Sequence, residues 1–298
     1  MQIDVVASSG LVVPLSDLPA QPGGNPVNRN WTTLKLCQRT IQHKRCGGRY
    51  NVLAIRSDGS QLSVAEGPKV HILSKDYCLM TTLGEGSISF SVNLWGLAFD
   101  LKQNILVSDL DNNRVCRVSQ KNTLLQTISC SKHSTFKHPG GVAVDADGRI
   151  FICDSGNHCV SVHSESGSPL HSFGSSGKAD TQFNYPSDLD CSPDHHLYIA
   201  DTFNSRICVY HYNKKSVSSK FVSCFRTKYE PTCIAYAAGN HLIVTAMQSD
   251  AVMVYNTRGN LVHEFGGRDQ FRAPTGVAVD AAGTVYISDS LNDRIQVF

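Results

Sequence analysis

No apolar run in this 298-residue chain approaches the roughly 18 residues that a membrane-spanning helix needs, so the sequence predicts no membrane partner. The N-terminal stretch MQIDVVASSGLVV has no basic leader and carries Asp4, which argues against a secretory signal. No CxxC pair occurs, and the Cys and His spacings match no zinc site. A Gly-x-Ser-x-Gly elbow and a phosphate loop are missing as well. These absences predict no catalytic residue, no metal ligand and no cofactor, and so a chain that is not an enzyme. Excess charge is also lacking: 27 Lys and Arg face 25 Asp and Glu, so any case for nucleic acid must come from local patches. Helical periodicity of useful length is absent throughout. Eleven cysteines are an odd number for a disulfide framework. They read instead as packed free thiols of a reducing, cytoplasmic compartment.

What is present is a unit. Residues 138–173 hold four short runs of β-branched and aromatic residues, separated by Asp147-Gly148, Ser155-Gly156-Asn157 and Ser166-Gly167. Asp-Gly between apolar runs signals a tight hairpin, because Gly accepts the positive φ such turns require. The unit reads as a four-stranded antiparallel meander, and it recurs. Asp100, Asp145, Asp190 and Asp280 close the first strand of successive copies, with Tyr236 and Arg56 standing in for two more, at intervals of 44 to 46 residues. A four-stranded unit at that period is the signature of a propeller blade. The spacing predicts an all-β, six-bladed β-propeller with blades at about 50–83, 93–128, 138–173, 185–225, 230–265 and 273–298. Third strands take Cys116, Cys159 and Cys208, a second strand takes Cys153, and Cys130 and Cys224 fall in or near fourth strands.

A lone blade cannot bury both faces, and an open array leaves two sheet edges exposed, so the ring must close. The last copy stops at Phe298 after its third strand. Residues 32–41 (TTLKLCQRTI) stand just before the first copy and are expected to complete the sixth blade. The propeller thus takes residues 31–298, and residues 1–30, with the turn-rich QPGGNP at 21–26, read as a weakly ordered leader.

A second pattern lies between strands two and three: DLDNNR at 109–114, DSGNH at 154–158, DTFNSR at 201–206 and DSLNDR at 289–294. Together with the Pro-x-Gly-Val-Ala-Val-Asp start, it resembles the NHL repeat, and the chain resembles the C-terminal NHL domain of tripartite-motif proteins. In blade five Met247-Gln248-Ser249-Asp250 replaces the motif. Repetition in blade after blade assigns Asp109, Asp154, Asp201, Asp289, Arg114, Arg206 and Arg294 to scaffold, with Asp and Arg paired across each hairpin. The resemblance implies a six-bladed ring that binds RNA on a basic face, as several such proteins do. Its other implication is a module that docks proteins, such as substrates for ubiquitination. Some NHL-like propellers are secreted, disulfide-bonded zinc lyases, and this chain lacks both marks.

The loops leading into each first strand share a face with the strand-two to strand-three loops. Here they interleave cations with rings: Lys132, His133, Phe136, Lys137 and His138 before blade three; Arg226, Lys228 and Tyr229 before blade five; Arg268, Phe271 and Arg272 before blade six. Lys178 and Tyr185 precede blade four, and Trp95, Phe203 and Asn204 are placed on the same face. Cations meet phosphates while rings stack bases, so this set predicts a site for single-stranded or stem-loop RNA, or for a protein partner at the same place. His195-His196 falls in a strand-one to strand-two turn on the opposite face.

Overall fold

In a computed structural model the described residues are 4–7, 39–42, 50–55, 59–86, 88–130, 135–213, 215 and 217–298. Arg56, Lys132 and His133 lie outside them. The described chain folds as the predicted all-β six-bladed propeller, each blade a four-stranded antiparallel sheet. Blade three runs through Pro139–Val144, Ile150–Asp154, Cys159–His163 and Pro169–Phe173. Blade four follows with Pro186–Cys191, His196–Asp201, Arg206–Asn213 and Ser218–Arg226. Blade five consists of Cys233–Ala237, His241–Ala246, Ala251–Asn256 and Leu261–Gly266.

First strands line the axis, each packed on the first strands of its two neighbours, the sixth against the first. That approach explains the glycine of the recurrent strand start. A Cβ on Gly96 would stand 2.5 Å from the Gly140 carbonyl oxygen, and one on Gly140 would stand 2.5 Å from that of Ser187. Neither contact is tolerable, so the inner ring needs glycine there.

Closure follows the expected clasp with a shifted start. Arg39–Gln42 pairs antiparallel with Arg294–Val297, setting Thr40 opposite Gln296 and Ile41 opposite Ile295. The clasp therefore occupies the end of the predicted 32–41 stretch, and residues 32–38 are outside the described set. Asp4–Ala7, within the segment read as leader, adds a fifth strand beyond it.

Hydrophobic clusters of the described residues sit between blades. Ile150, Ile152 and Phe136 meet Leu106 and Val115 across the second and third blades. Phe151, Val162 and Phe183 meet Ile199 and Tyr210 across the third and fourth. Leu62 and Val64 meet Tyr286 and Val297 where the sixth blade returns to the first. Alternate residues of each strand thus face opposite neighbours, and truncating one such side chain to Ala costs about 2–5 kcal/mol.

Candidate binding face

The strand-two to strand-three loops are built on a buried carboxylate. Asp109, Asp154, Asp201 and Asp289 are each fully buried. In every one, Oδ1 accepts a backbone N–H from the loop leading into the same blade: Ser91 at 3.0 Å, Lys137 at 2.8 Å, Asn184 at 2.7 Å and Arg272 at 2.7 Å. Oδ2 accepts the side-chain amide three residues on, from Asn112, Asn157, Asn204 and Asn292. Arg114, Arg206 and Arg294 then donate Nε to Oδ2 at 2.9, 2.7 and 2.6 Å. For Asp109, burial pushes the carboxyl up, but hydrogen bonds from Ser91, Asn112 and Arg114 prevail and hold it below its ordinary value. Each guanidinium also caps lead-in carbonyls; Arg206 reaches those of Lys178, Ala179 and Gln182. One acid thereby fixes two loops, as the repeat predicted for scaffold residues.

Neighbouring blades are tied by residues in the left-handed region. Asn113, His158 and Asp250 have φ of 52°, 55° and 51°. Their side chains accept the backbone N–H of His138, Tyr185 and Ala273, the lead-in residues of the following blades. Blade five keeps this turn although its motif is gone. Ala246 takes the place of the Asp, Thr232 Oγ1 accepts the Met247 N–H, and Thr245 Oγ1 accepts the Cys233 N–H.

The predicted site residues separate into three groups. Phe136 and Phe271 are 2% and 0% exposed and pack in the inter-blade core. They are corrected to structural plugs, together with Phe90 and Phe183 at matching places. Asn204 is committed to Asp201 and the Gly177 carbonyl. Trp95 donates its indole N–H to the Ser187 carbonyl across the axis.

The second group stands on the loops of blades three to five. Phe203 is 52% exposed with the Tyr185 ring 5.4 Å away, while Lys137, His138, Lys178 and Arg226 are exposed on the adjoining loops, as is Asp180. Backbone bonds hold these loops in place, Phe203 to Asn184 and Thr227 to Ser205. In the third group, over blades five and six, the cations have acidic company. Lys228 Nζ lies 2.8 Å from Glu264, whose other oxygen accepts Tyr229 Oη at 3.1 Å. Arg268 faces Asp250 at 3.8 Å, and Arg272 stands exposed near exposed Asp269 and Asp293.

Two further clusters lie away from this face. The axial channel, about 530 Å³, is lined by first-strand residues. Asp188 and Asp190 on its wall bridge to blade five, accepting the N–H of Ile234 at 2.9 Å and of Tyr236 at 2.8 Å. Burial raises their carboxyls to about 7 and about 6. On the opposite face Asp145, Asp147 and His195 bring ligand-type atoms within 4.8 Å of one another. Arg149 donates to both carboxylates there, at 2.8 and 2.9 Å, offsetting one of their two charges. Among the described residues no helix is long and apolar enough to cross a membrane.

A family model described as the NHL repeat matches residues 136–162 and 271–298. "Protein brain tumor" of Drosophila melanogaster is 25% identical over 149 residues, 44% of this chain and 12% of that protein. The chain thus spans a small part of this relative. A catalytically inactive virginiamycin B lyase from Staphylococcus aureus, solved with quinupristin, superposes with a TM-score of 0.63 at 16% identity over 89% of this chain and 85% of that one. For a gluconolactonase from Xanthomonas campestris the values are 0.69 and 15%, over 87% and 88%. These likenesses correct one expectation. The missing catalytic motifs predict a chain that is not an enzyme, yet a lyase and a lactonase share this architecture, so the fold and its lack of familiar motifs exclude no catalysis.

Proposed function

We propose that this chain, an NHL-repeat β-propeller resembling the NHL domains of tripartite-motif proteins, binds single-stranded RNA over blades three to five of its lead-in face. The carrying observation is the half-exposed Phe203 ring, set against Tyr185, with Lys137, His138, Lys178 and Arg226 exposed on the neighbouring loops. An aromatic of that size left open on a fold that buries its lead-in phenylalanines suits a base, and stacking contributes about 1–3 kcal/mol per base. In this reading the four basic side chains meet the phosphates that flank the stacked base.

The test is fluorescence anisotropy of labelled single-stranded RNA across a salt series. Phe203→Ala should weaken binding about tenfold. Lys137→Ala, Lys178→Ala and Arg226→Ala together should reduce the slope of log affinity against log salt by about 2. Salt-insensitive binding by the unaltered chain would overturn the proposal. A protein partner on the same face is the second reading, favoured by the mixed charge around Lys228, Glu264, Arg268 and Asp250; it predicts a partner retained after nuclease treatment.

A further inference from the structure

We infer that Cys208 and Cys224 are a redox couple, joined as a reversible disulfide when the folded chain meets hydrogen peroxide. Both are free thiols in the structure. They lie directly opposite one another in the antiparallel pair formed by the third and fourth strands of blade four. The Thr227 N–H donates to the Ser205 carbonyl, which makes that rung a hydrogen-bonded pair. Counting inward, the Cys208–Cys224 rung falls on the alternate, non-hydrogen-bonded kind, where opposed Cα atoms stand about 4.5 Å apart with side chains on one face. That separation lies within the range disulfides span. Among the described strand pairings no second cysteine pair shares a rung: Cys116 faces Thr127, Cys153 faces Val160 and Cys159 faces Asp154.

The surroundings assign the two sulfurs different roles. Cys224 is half-buried and reachable; Arg206 Nη1 lies 4.0 Å from its Sγ, and the thiol is 3.9 Å from Asp180 Oδ1, toward which it donates. Cys208 is fully buried, and its Sγ is 3.9 Å from Asp201 Oδ2. Burial pushes the Cys208 thiol up, which leaves Cys224 as the attacking sulfur. Cys224 Sγ attacks one peroxide oxygen; the O–O bond breaks and the departing hydroxide leaves as water with the Cys224 proton. Cys208 Sγ then attacks the resulting sulfenic sulfur. The S–S bond forms, the S–O bond breaks, and a second water leaves with the Cys208 proton. Two thiols are oxidised and one peroxide is reduced. The bond fastens the outer strand of blade four to the strand that carries the Arg206 clamp.

The test oxidises the native chain with dilute hydrogen peroxide, blocks remaining thiols, and maps tryptic peptides. The expected result is a dominant cross-link between residues 207–214 and 221–226, two hydrogens lighter than the free pair and lost on adding dithiothreitol. Cys224→Ser, which alters a half-exposed position, should keep the melting midpoint and abolish that link. Recovery of Cys224 as sulfinic acid with Cys208 still free overturns the inference in the unaltered chain, whatever the variant does. A scatter of links among other cysteines at equal yield does the same.

Discussion

Blades four and five stand side by side on one face and solve the same loop differently. In blade four the acid is inside: Asp201 takes Asn184, Asn204 and Arg206 in the core. The rim outside it keeps Phe203, Lys178 and Arg226 open, with exposed Asp180 beside Cys224. In blade five Ala246 replaces that acid, threonines hold the loop, and Glu264 and Asp250 sit at the surface against Lys228 and Arg268. The same residue types therefore leave Lys178 and Arg226 open where the motif acid is internal, and pair Lys228 and Arg268 where carboxylates face them at the surface. What a rim offers to a ligand is set by where its carboxylates are, more than by how many cations it carries.

The comparison is broken most forcefully at the buried acid. Asp201→Ala leaves the Arg206 guanidinium, 7% exposed, without its partner, and should cost about 3–5 kcal/mol in urea unfolding. In blade five Thr245→Val removes an acceptor from the Cys233 N–H and should cost about 1–3 kcal/mol by the same measurement. Asp188 joins the two blades and gives a pH test. Its folded carboxyl keeps its proton up to about 7, whereas an unfolded Asp releases it near 3.9. The folded chain thus binds more protons in that window, so this contribution is full below about pH 4 and is lost as pH rises to 7. Asp188→Asn should flatten the pH dependence of the unfolding midpoint across the interval. The smallest effect belongs to the exposed pair: Glu264→Gln should change stability by less than about 0.5 kcal/mol, while freeing Lys228 to raise RNA affinity by about twofold if rim charge decides binding.

Much of this was legible in the residues. The period gave six blades because each blade needs the same turns and the same close approach of inner strands, which Gly96 and Gly140 record. Repetition also identified Asp109, Asp154, Asp201 and Asp289 as architecture. The lead-in aromatics were not separable by composition. Phe136 and Phe271 look like Phe203 in a list of rings, yet they are buried and it is open. A signal was present: Phe136, Phe183 and Phe271 each stand three residues before the proline that starts a first strand, and a side chain repeated at one place is a plug. Phe203 breaks that register. Blade five lacks the motif, yet φ of 51° at Asp250 shows the turn kept, with Thr232 and Thr245 hydroxyls accepting the N–H groups of Met247 and Cys233. Pairing of Lys228 with Glu264 spans 36 residues, a separation no local reading connects.

The most direct test sets the two rims against each other in one titration of single-stranded RNA. Phe203→Ala with Lys137→Ala, Lys178→Ala and Arg226→Ala is predicted to lower affinity at least a hundredfold at low salt. Lys228→Ala with Arg268→Ala is predicted to change it less than about threefold, since those charges are already countered. Equal losses from both sets, or loss only from the second, would contradict the account.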